Sequence, residues 1–586
     1  MTINRETARL LERVAAVFRV KEGDTFRVKA YNNAATVIDN LSESIDELWR
    51  QDKLETVPGL GKALIGYLDE YFSKGRVRHF ESQLKKVPAG MFALMEIRGV
   101  GPMTAYKLAQ KFHLTNEKIA LQRLQQLINA GKLNEIDSFK EKSIARLTKS
   151  LKIKNSGKGR ILLSEALSIA EDFIGYLKQS PLTISVEPLG SLRRRLPTVG
   201  DIDLALNTKH PEESMVYVLS YPLISSVITK GDHVSHVKLK NGFEVDIKLS
   251  EPQDWGSLLQ HYTGSKMHNI RLRTIAKEKG LSLSEYGIKQ KSKLKHFKTE
   301  KDFYHFLGMQ MIPPEIREDT GEIELAQQNK IPSLVDLKDI KGDLHIHSNF
   351  DYPSSHDQGT SPLHDILDKA YQLGYEYLGI SDHNPKYFGL SEKETENVLF
   401  ARKKYLEQNF RAYEKAVKNR GIKLLIGLEV DIRPDGDLAL SEKLLNSLDY
   451  TIVSIHSAFD NTVEENTERI IAALSHPKAL ILGHPTGRLI NHRESLRADW
   501  EKIFEFSAQN HKIIEVNAYP DRLDLPHDLI KIAVSKGVKL IVNTDSHDVD
   551  QMEYIKYGVW QARKGYAGKS DVVNTLSWKN LQTMLR

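Results

Sequence analysis

Cysteine is absent from all 586 residues. That excludes disulfides, thiolate zinc ligands and a thiol nucleophile, and it fits a chain that works in the cytoplasm. Long apolar runs are missing as well. No stretch approaches the roughly 18 residues that a membrane-spanning helix needs, and no charged-then-apolar leader opens the sequence. The expectation is a soluble cytoplasmic protein with no membrane attachment. At this length one hydrophobic core is not enough, so several domains are expected.

Charge is present but unevenly shared. Residues 341–586 carry 31 Lys and Arg against 35 Asp and Glu, which leaves 52 against 42 for residues 1–340. A basic front half joined to a mildly acidic, histidine-bearing rear half points to a polyanion binder coupled to a hydrolase.

In the rear half, seven short apolar runs end in a histidine or a carboxylate. DLHIH ends with His345 and His347, EYLGISDH with Asp382 and His383, KLLIGLE with Glu429, and YTIVSIH with His456. ALILGH ends in His484, KIIEVN in Glu515 and Asn517, and KLIVNTDSH in Asp545 and His547. Helically patterned stretches separate these runs, which implies parallel βα units. In closed barrels of such units the chemistry collects where the strands end. Imidazole with carboxylate and no thiol suits Zn²⁺, Mn²⁺ or Fe²⁺ and the activation of a water.

The series HxH, SDH, GLE, SIH, GHP and TDSH resembles the PHP (polymerase and histidinol phosphatase) domain, a distorted (β/α)7 barrel holding up to three metal ions. Carried over residue by residue, the resemblance implies His345, His347, His383, Glu429, His456, His484, Asp545 and His547 as ligands. The family's compact Ser-Asp-Gly after HxH is replaced here by HSNFDYPSSHDQG, an insertion. Asp357 is assigned as the ninth ligand by register with the following helix, with Asp351 as the alternative. His356, His364, His476, His492, His511 and His527 follow no such strand end and are read as surface or packing residues.

Near the N-terminus, VPGLGKA (57–63) and IRGVGPMTA (97–105) repeat one pattern between helical stretches. Gly59 and Gly61, then Gly99 and Gly101, permit a tight turn with positive φ and leave N–H groups facing outward. Together with the next helix N-terminus these make a neutral socket for a phosphate oxygen. The pair resembles the helix-hairpin-helix motif, which grips the DNA backbone without reading sequence. A degraded third copy lies at residues 136–143, without its glycines.

The sharpest local signature is GSLRRRLPTVGDIDLAL (190–206). Asp201 and Asp203 alternate on a strand, so both carboxylates leave one face; Asp246, in GFEVDIKL, joins them from a second strand. Three such carboxylates hold two Mg²⁺ or Mn²⁺ ions about 4 Å apart, which activates an attacking oxygen and stabilises a leaving one. The Gly190–Ser191 turn offers donors to a triphosphate, and Arg194 neutralises it. This pattern resembles the nucleotidyltransferase superfamily.

HYTGSKMHNIRLR (261–273) is similar to the YFTGS segment of family X DNA polymerases, the group of DNA polymerase beta, and Glu285–Tyr286 falls where the thumb's Glu-Tyr pair would be. The resemblance implies that Ser191 and Arg194 contact the triphosphate. It sets the backbone of Tyr262–Gly264 against the sugar, and brings Asn269 and Arg273 to the base pair and template. It divides the chain into an N-terminal helical DNA-binding domain (1–85), fingers (86–150), palm with a mixed sheet (151–250), thumb (251–325), linker (326–339) and PHP domain (340–586). The fold class is therefore multidomain α/β. Three departures stand out. Tyr67 occupies the position of the lysine that forms a Schiff base with an abasic sugar, and Lys62 lies one turn away, so lyase activity is expected to be weak or absent. Glu244 sits two residues before Asp246, either adding metal affinity or facing solvent. His261 replaces the usual aromatic beside the sugar pocket.

The function expected is a repair polymerase that takes dNTPs and fills short gaps in primed duplex DNA. Its barrel would direct an activated water at a DNA phosphodiester, giving 3′→5′ exonuclease activity, with abasic-site endonuclease or 3′-phosphatase activity in the same reach. A monomer is the default. One rival is a PHP-type nuclease or phosphatase whose polymerase half only positions DNA; the complete set Asp201, Asp203 and Asp246 argues against it. The other is a non-catalytic repair scaffold, which would leave two complete metal sites unexplained.

Overall fold

The computed structural model describes residues 3–585 apart from 22, 40–44, 58–59, 96, 98–99, 131, 136–159, 387–389, 418–420 and 460. The chain divides into two compact units: Met1–Ile161 with Gly264–His296 and Arg317–Leu325, and Leu162–Thr263 with Phe297–Ile316 and Ala326–Arg586. Among the described residues no helix is long and apolar enough to cross a membrane.

The first unit opens with helices. Ile3–Lys21 and Thr25–Asp39 pack as a pair, and Leu11, Phe18, Ala34, Leu64, Leu68 and Phe80 share one core. Met91, Leu94, Ala105 and Leu108 build a neighbouring core around the helix Pro102–Lys111. The helix Lys266–Glu278 and a three-stranded antiparallel hairpin sheet (Leu281–Ser284, Gly287–Gln290, Lys293–Lys295) complete the unit.

The second unit carries two sheets that matter for chemistry. The smaller, mixed sheet runs in the order Ser185–Pro188, Ile202–Asn207, Glu244–Ser250, Val234–Leu239, Ile224–Lys230. Its central pair, Ile202–Asn207 and Glu244–Ser250, is parallel, and Asp203 faces Asp246 in register. The other is a barrel made of two parallel sheets, one of three strands (Gly342–Asp343, Tyr377–Ile380, Lys423–Ile426) and one of five (Leu428–Asp431, Thr451–Ser454, Ile481–Leu482, Ile513–Asn517, Lys539–Asn543). Isolated parallel bridges His383↔Glu429 and Ile346↔Ser546 close the ring. Buried on both faces, these strands read as continuous apolar runs, as parallel sheets do. Ile380, Val430, Val453, Leu482, Val516 and Val542 belong to one core beneath the surrounding helices.

Two candidate metal centres and a candidate DNA-binding face

In the first unit the predicted hairpins present matched helix starts. Gly61 caps Lys62–Lys74 and Gly101 caps Pro102–Lys111, with φ/ψ of −79°/160° and −77°/170°. The structure corrects the expectation of positive φ at Gly61 and Gly101, because a residue that caps a helix adopts an extended conformation. An added Cβ would meet nothing within 4 Å at either position, so within the chain neither the backbone conformation nor packing demands glycine there. Gly59, Gly99 and the third copy at 136–143 lie outside the described residues. Asn269 and Arg273 sit four residues apart on Lys266–Glu278, hence on one face, with Arg273 exposed. Gly264, just before that helix, has φ of +71°. Tyr67 stacks on His79 at 5.0 Å between ring centroids and packs against Phe80.

The palm sheet brings its carboxylates to one place. Asp203 and Asp246 are cross-strand partners, and Asp201 lies exposed just before the strand. Burial pushes the Asp203 carboxyl above its usual range, Asp201 and Asp246 add to that, and Lys248 opposes it with Nζ 2.9 Å from Oδ1. Like charges forced together in this way are what a divalent cation relieves. His236 Nδ1 lies 2.5 Å from Asp246 Oδ1, and its Nε2 3.4 Å from Glu244 Oε2. Glu244 is thus paired to a histidine neighbouring the site.

Beside the carboxylates runs the turn of residues 190–196. Gly190 has φ of +55°, and a Cβ there would lie 2.9 Å from Asp203 Oδ2, so only glycine fits. Arg193 is anchored by Thr263 Oγ1 at 2.6 Å and by Glu300 at 2.6 and 3.0 Å. Arg194 Nη1 donates to the Thr263 carbonyl at 2.5 Å. Tyr262 lies beneath the Lys248 ammonium, 4.8 Å from its ring centroid, and edge-on to His261.

At the barrel's strand ends Glu429 is the hub. Its Oε2 lies 3.2 Å from His345 Nε2 and 3.0 Å from His383 Nδ1; its Oε1 lies 2.8 Å from His484 Nε2 and 3.4 Å from His456 Nε2. Asp545 Oδ1 lies 3.2 Å from His347 Nε2 and 3.4 Å from His345 Nε2. Asp357 reaches the far side, 3.6 Å from His383 Nε2 and 3.4 Å from His547 Nε2, whereas Asp351 is exposed and within 4 Å of none of these rings. All nine predicted ligands therefore meet in one cluster.

Its electrostatics suit cations. Burial raises the Glu429 carboxyl, but His383, His345 and His456 hold it well below the usual range. Burial lowers His383 and His345, yet surrounding carboxylates raise both, His383 to about 10. Burial and the neighbouring His547 and His383 hold His347 well below its ordinary value, so its lone pair is free. His345 Nε2, Glu429 Oε2, His383 Nδ1 and His547 Nε2 are buried and lack hydrogen-bond geometry to any partner. Buried polar atoms are seldom orphaned, and a shared set of orphaned donor atoms fits metal ions. Four overlapping groups offer such a seat: His345, His347, Glu429 and Asp545; His383, Glu429 and His456; His347, His383 and His547; and His356, Asp431 and His456. Two members of the cluster, His484 (φ +24°) and Asp545 (φ +56°), hold left-handed backbone, a strain that persists only where the surroundings over-determine it.

The sequence reading gave the strand-end residues Glu515 and Asp382 no role, and it missed Asp431. Glu515 Oε1 lies 2.7 Å from His345 Nδ1. Asp431 Oδ1 lies 2.7 Å from His456 Nδ1 and 2.9 Å from His356 Nε2. His356, read as a surface or packing residue, instead joins the cluster, its ring 4.1 Å from that of His456. Arg402 Nε and Ser348 hold Asp382 behind His383. A cleft of about 560 Å³ opens over the cluster, with Phe459, Arg493, Tyr519 and Arg522 on its wall.

Three family models match parts of the chain. The family model for a helix-hairpin-helix domain matches residues 2–77, that for the DNA polymerase beta thumb matches 258–318, and that for the PHP domain matches 343–519. The chain is 32% identical to the DNA polymerase/3′-5′ exonuclease PolX of Bacillus subtilis, over 99% of each chain. It is 25% identical to DNA polymerase lambda of Arabidopsis thaliana over 54% of this chain and 62% of that one. It is also 30% identical to a probable phosphatase of Clostridium acetobutylicum over 35% of this chain and 78% of the other.

Proposed function

The chain belongs to the family X DNA polymerases that carry a PHP domain, and on that premise we propose how its residues divide two reactions. It is a DNA-directed DNA polymerase and a 3′→5′ exonuclease, metal-dependent in both, with DNA and nucleotides as its substrates. The observation that carries the reading is the register pairing of Asp203 with Asp246 in a chain that also holds a separate cluster of histidines and carboxylates around Glu429.

Asp201, Asp203 and Asp246 would hold two Mg²⁺ or Mn²⁺ ions in the palm. His345, His347, Asp357, His383, Glu429, His456, His484, Asp545 and His547 would hold up to three Mn²⁺, Zn²⁺ or Fe²⁺ ions in the barrel. Bound ions supply Lewis acidity, which activates the primer 3′-hydroxyl in the palm and a water in the barrel. The turn of residues 190–196 receives the triphosphate, with the Ser191 hydroxyl donating and Arg194 balancing charge on the leaving pyrophosphate. The Tyr262–Gly264 backbone faces the sugar, and Asn269 and Arg273 address the base pair and template. Gly61 and Gly101 open helix N-termini to backbone phosphates, with Gly59 and Gly99 as further DNA-binding candidates, which suits a short gap held from its downstream side by a monomer. In the barrel, Glu515 and Asp431 aim the rings of His345 and His456. Arg522, with Nε 3.7 Å from Asp545 Oδ2, stands ready to bind a non-bridging phosphate oxygen of the scissile bond.

Likeness of the barrel to a probable phosphatase favours removal of a 3′-phosphate as a second reaction there; incision at abasic sites asks for the same chemistry. The test is a denaturing gel of a 5′-labelled primer in a one-nucleotide gap, with Mn²⁺, with and without dNTPs. Extension with dNTPs and shortening without them supports the reading. Shortening under both conditions would leave the palm a DNA-positioning module.

A further inference from the structure

The helix Ile555–Lys564 belongs to the barrel, yet it also reaches the palm turn of residues 190–196. Ile555, Val559 and Ala562 are buried in the barrel core. A Cβ at Gly558 would lie 2.6 Å from Val542 and 2.8 Å from Ala518, so the helix presses on the strands that carry Glu515 and lead to Asp545. Other side chains of the same helix meet the palm turn and the short helical turn Pro314–Ile316. Lys564 is buried, and its Nζ donates to the Glu315 carbonyl at 3.0 Å and the Arg194 carbonyl at 3.4 Å. Arg563 Nε donates to Glu315 Oε1 at 2.8 Å. The Arg195 guanidinium lies 4.1 Å over the Trp560 ring.

Arg195 has φ of +56°, a conformation that a β-carbon disfavours. Such a residue persists only where its surroundings fix it, and here they act from two sides. Thr263 and Glu300 grip Arg193, while the barrel helix takes the Arg194 carbonyl and the Arg195 cation. Arg195 Nη1 is buried with no hydrogen-bond partner; the charge of Glu315 opposes the burial of the guanidinium, and the indole face adds to that compensation.

Resting on the reading that this turn receives the triphosphate, we propose that Trp560 and Lys564 are positioning residues of the polymerase site. They fix the backbone that presents Ser191 and Arg194, without touching nucleotide or the reacting atoms. The hydrolase domain is then a structural part of the polymerase site as well as a catalyst of its own.

The test uses the full-length protein in single-nucleotide gap filling, with degradation by the same preparations as internal control. Trp560→Leu and Lys564→Met should raise KM for the dNTP roughly tenfold and change kcat by less than about twofold, with degradation unchanged. Trp560→Phe, which keeps a ring beside Arg195, should recover most of the loss. Where a barrel-side variant folds poorly, Arg195→Gln probes the same contact from the palm and carries the same expectation. Unchanged KM in these variants beside a raised KM in Arg194→Ala overturns the positioning role alone. Unchanged KM in Arg194→Ala overturns the triphosphate reading beneath it. Parallel loss of extension and degradation in Trp560→Leu marks a general structural role and also overturns the proposal.

Discussion

His345 turns one ring nitrogen to Glu515, 2.7 Å away, and the other to Glu429, 3.2 Å away. A carboxylate behind a metal-facing imidazole fixes the ring and raises its basicity. Glu515 is itself fixed, with Asn543 Nδ2 donating to Oε1 at 2.9 Å and the His484 N–H to Oε2 at 2.6 Å. Glu515→Gln should weaken metal binding in the barrel by about 10–100-fold and leave extension intact. Titrating degradation with Mn²⁺ checks this; an unmoved midpoint contradicts it.

Gly190 makes the complementary case in the palm. Gly190→Ala places a methyl 2.9 Å from Asp203 Oδ2 and forces a side chain into φ of +55°. The backbone cost is about 1–2 kcal/mol, and the displaced carboxylate should lower extension by roughly 100-fold. Degradation by the same variant should persist. Near-normal extension would show that Asp203 does not need this approach.

The barrel's response to pH follows from His383, whose pKa is raised to about 10 because Glu429 and Asp357 outweigh burial. Raised above the unfolded value near 6.5, this group stabilises the metal-free protein fully below about pH 6.5 and loses that contribution as pH rises through 10. Metal requires the neutral ring, so binding releases a proton and strengthens with pH. Melts with and without Mn²⁺ should therefore differ more at pH 8.5 than at pH 6.5. A gap that narrows with pH would contradict the assignment of His383 as a ligand.

Tyr67 stacks on His79 with an interplanar angle of 5°, and a phenol forms no Schiff base. Borohydride trapping on incised abasic DNA should give no adduct with the N-terminal helices. Efficient trapping there would mean that Lys62, exposed at the start of the same helix, does the chemistry from one turn away.

Much of the barrel site is legible in the sequence because parallel strands release their last residues at one end, so His383, Glu429 and His484 announce themselves by position. Asp431 carries an available signal: two residues after Glu429 on Leu428–Asp431, it leaves the same face. His356 carries none, since it lies in an insertion whose path depends on contacts such as Ser354 with Pro385. Register alone points to Asp357, which lies beside His383 and His547, but nothing local separates it from Asp351. In the palm, the three carboxylates are readable from the sequence, but the register that sets Asp203 against Asp246 is not, since alternation along one strand does not fix its partner. Lys248 is not readable either, because a lysine two residues beyond Asp246 reads as a solvated strand residue until Asp203 and Tyr262 are seen around it.

Two separate sites on one chain act in opposite directions on a 3′ end. The most direct measurement is the gapped-primer gel, run with Asp201→Ala, Asp246→Ala and the pair His345→Ala with His347→Ala. The carboxylate variants should lose extension and keep degradation, and the histidine variant should do the reverse. A folded variant of either kind that loses both reactions contradicts the two-site account.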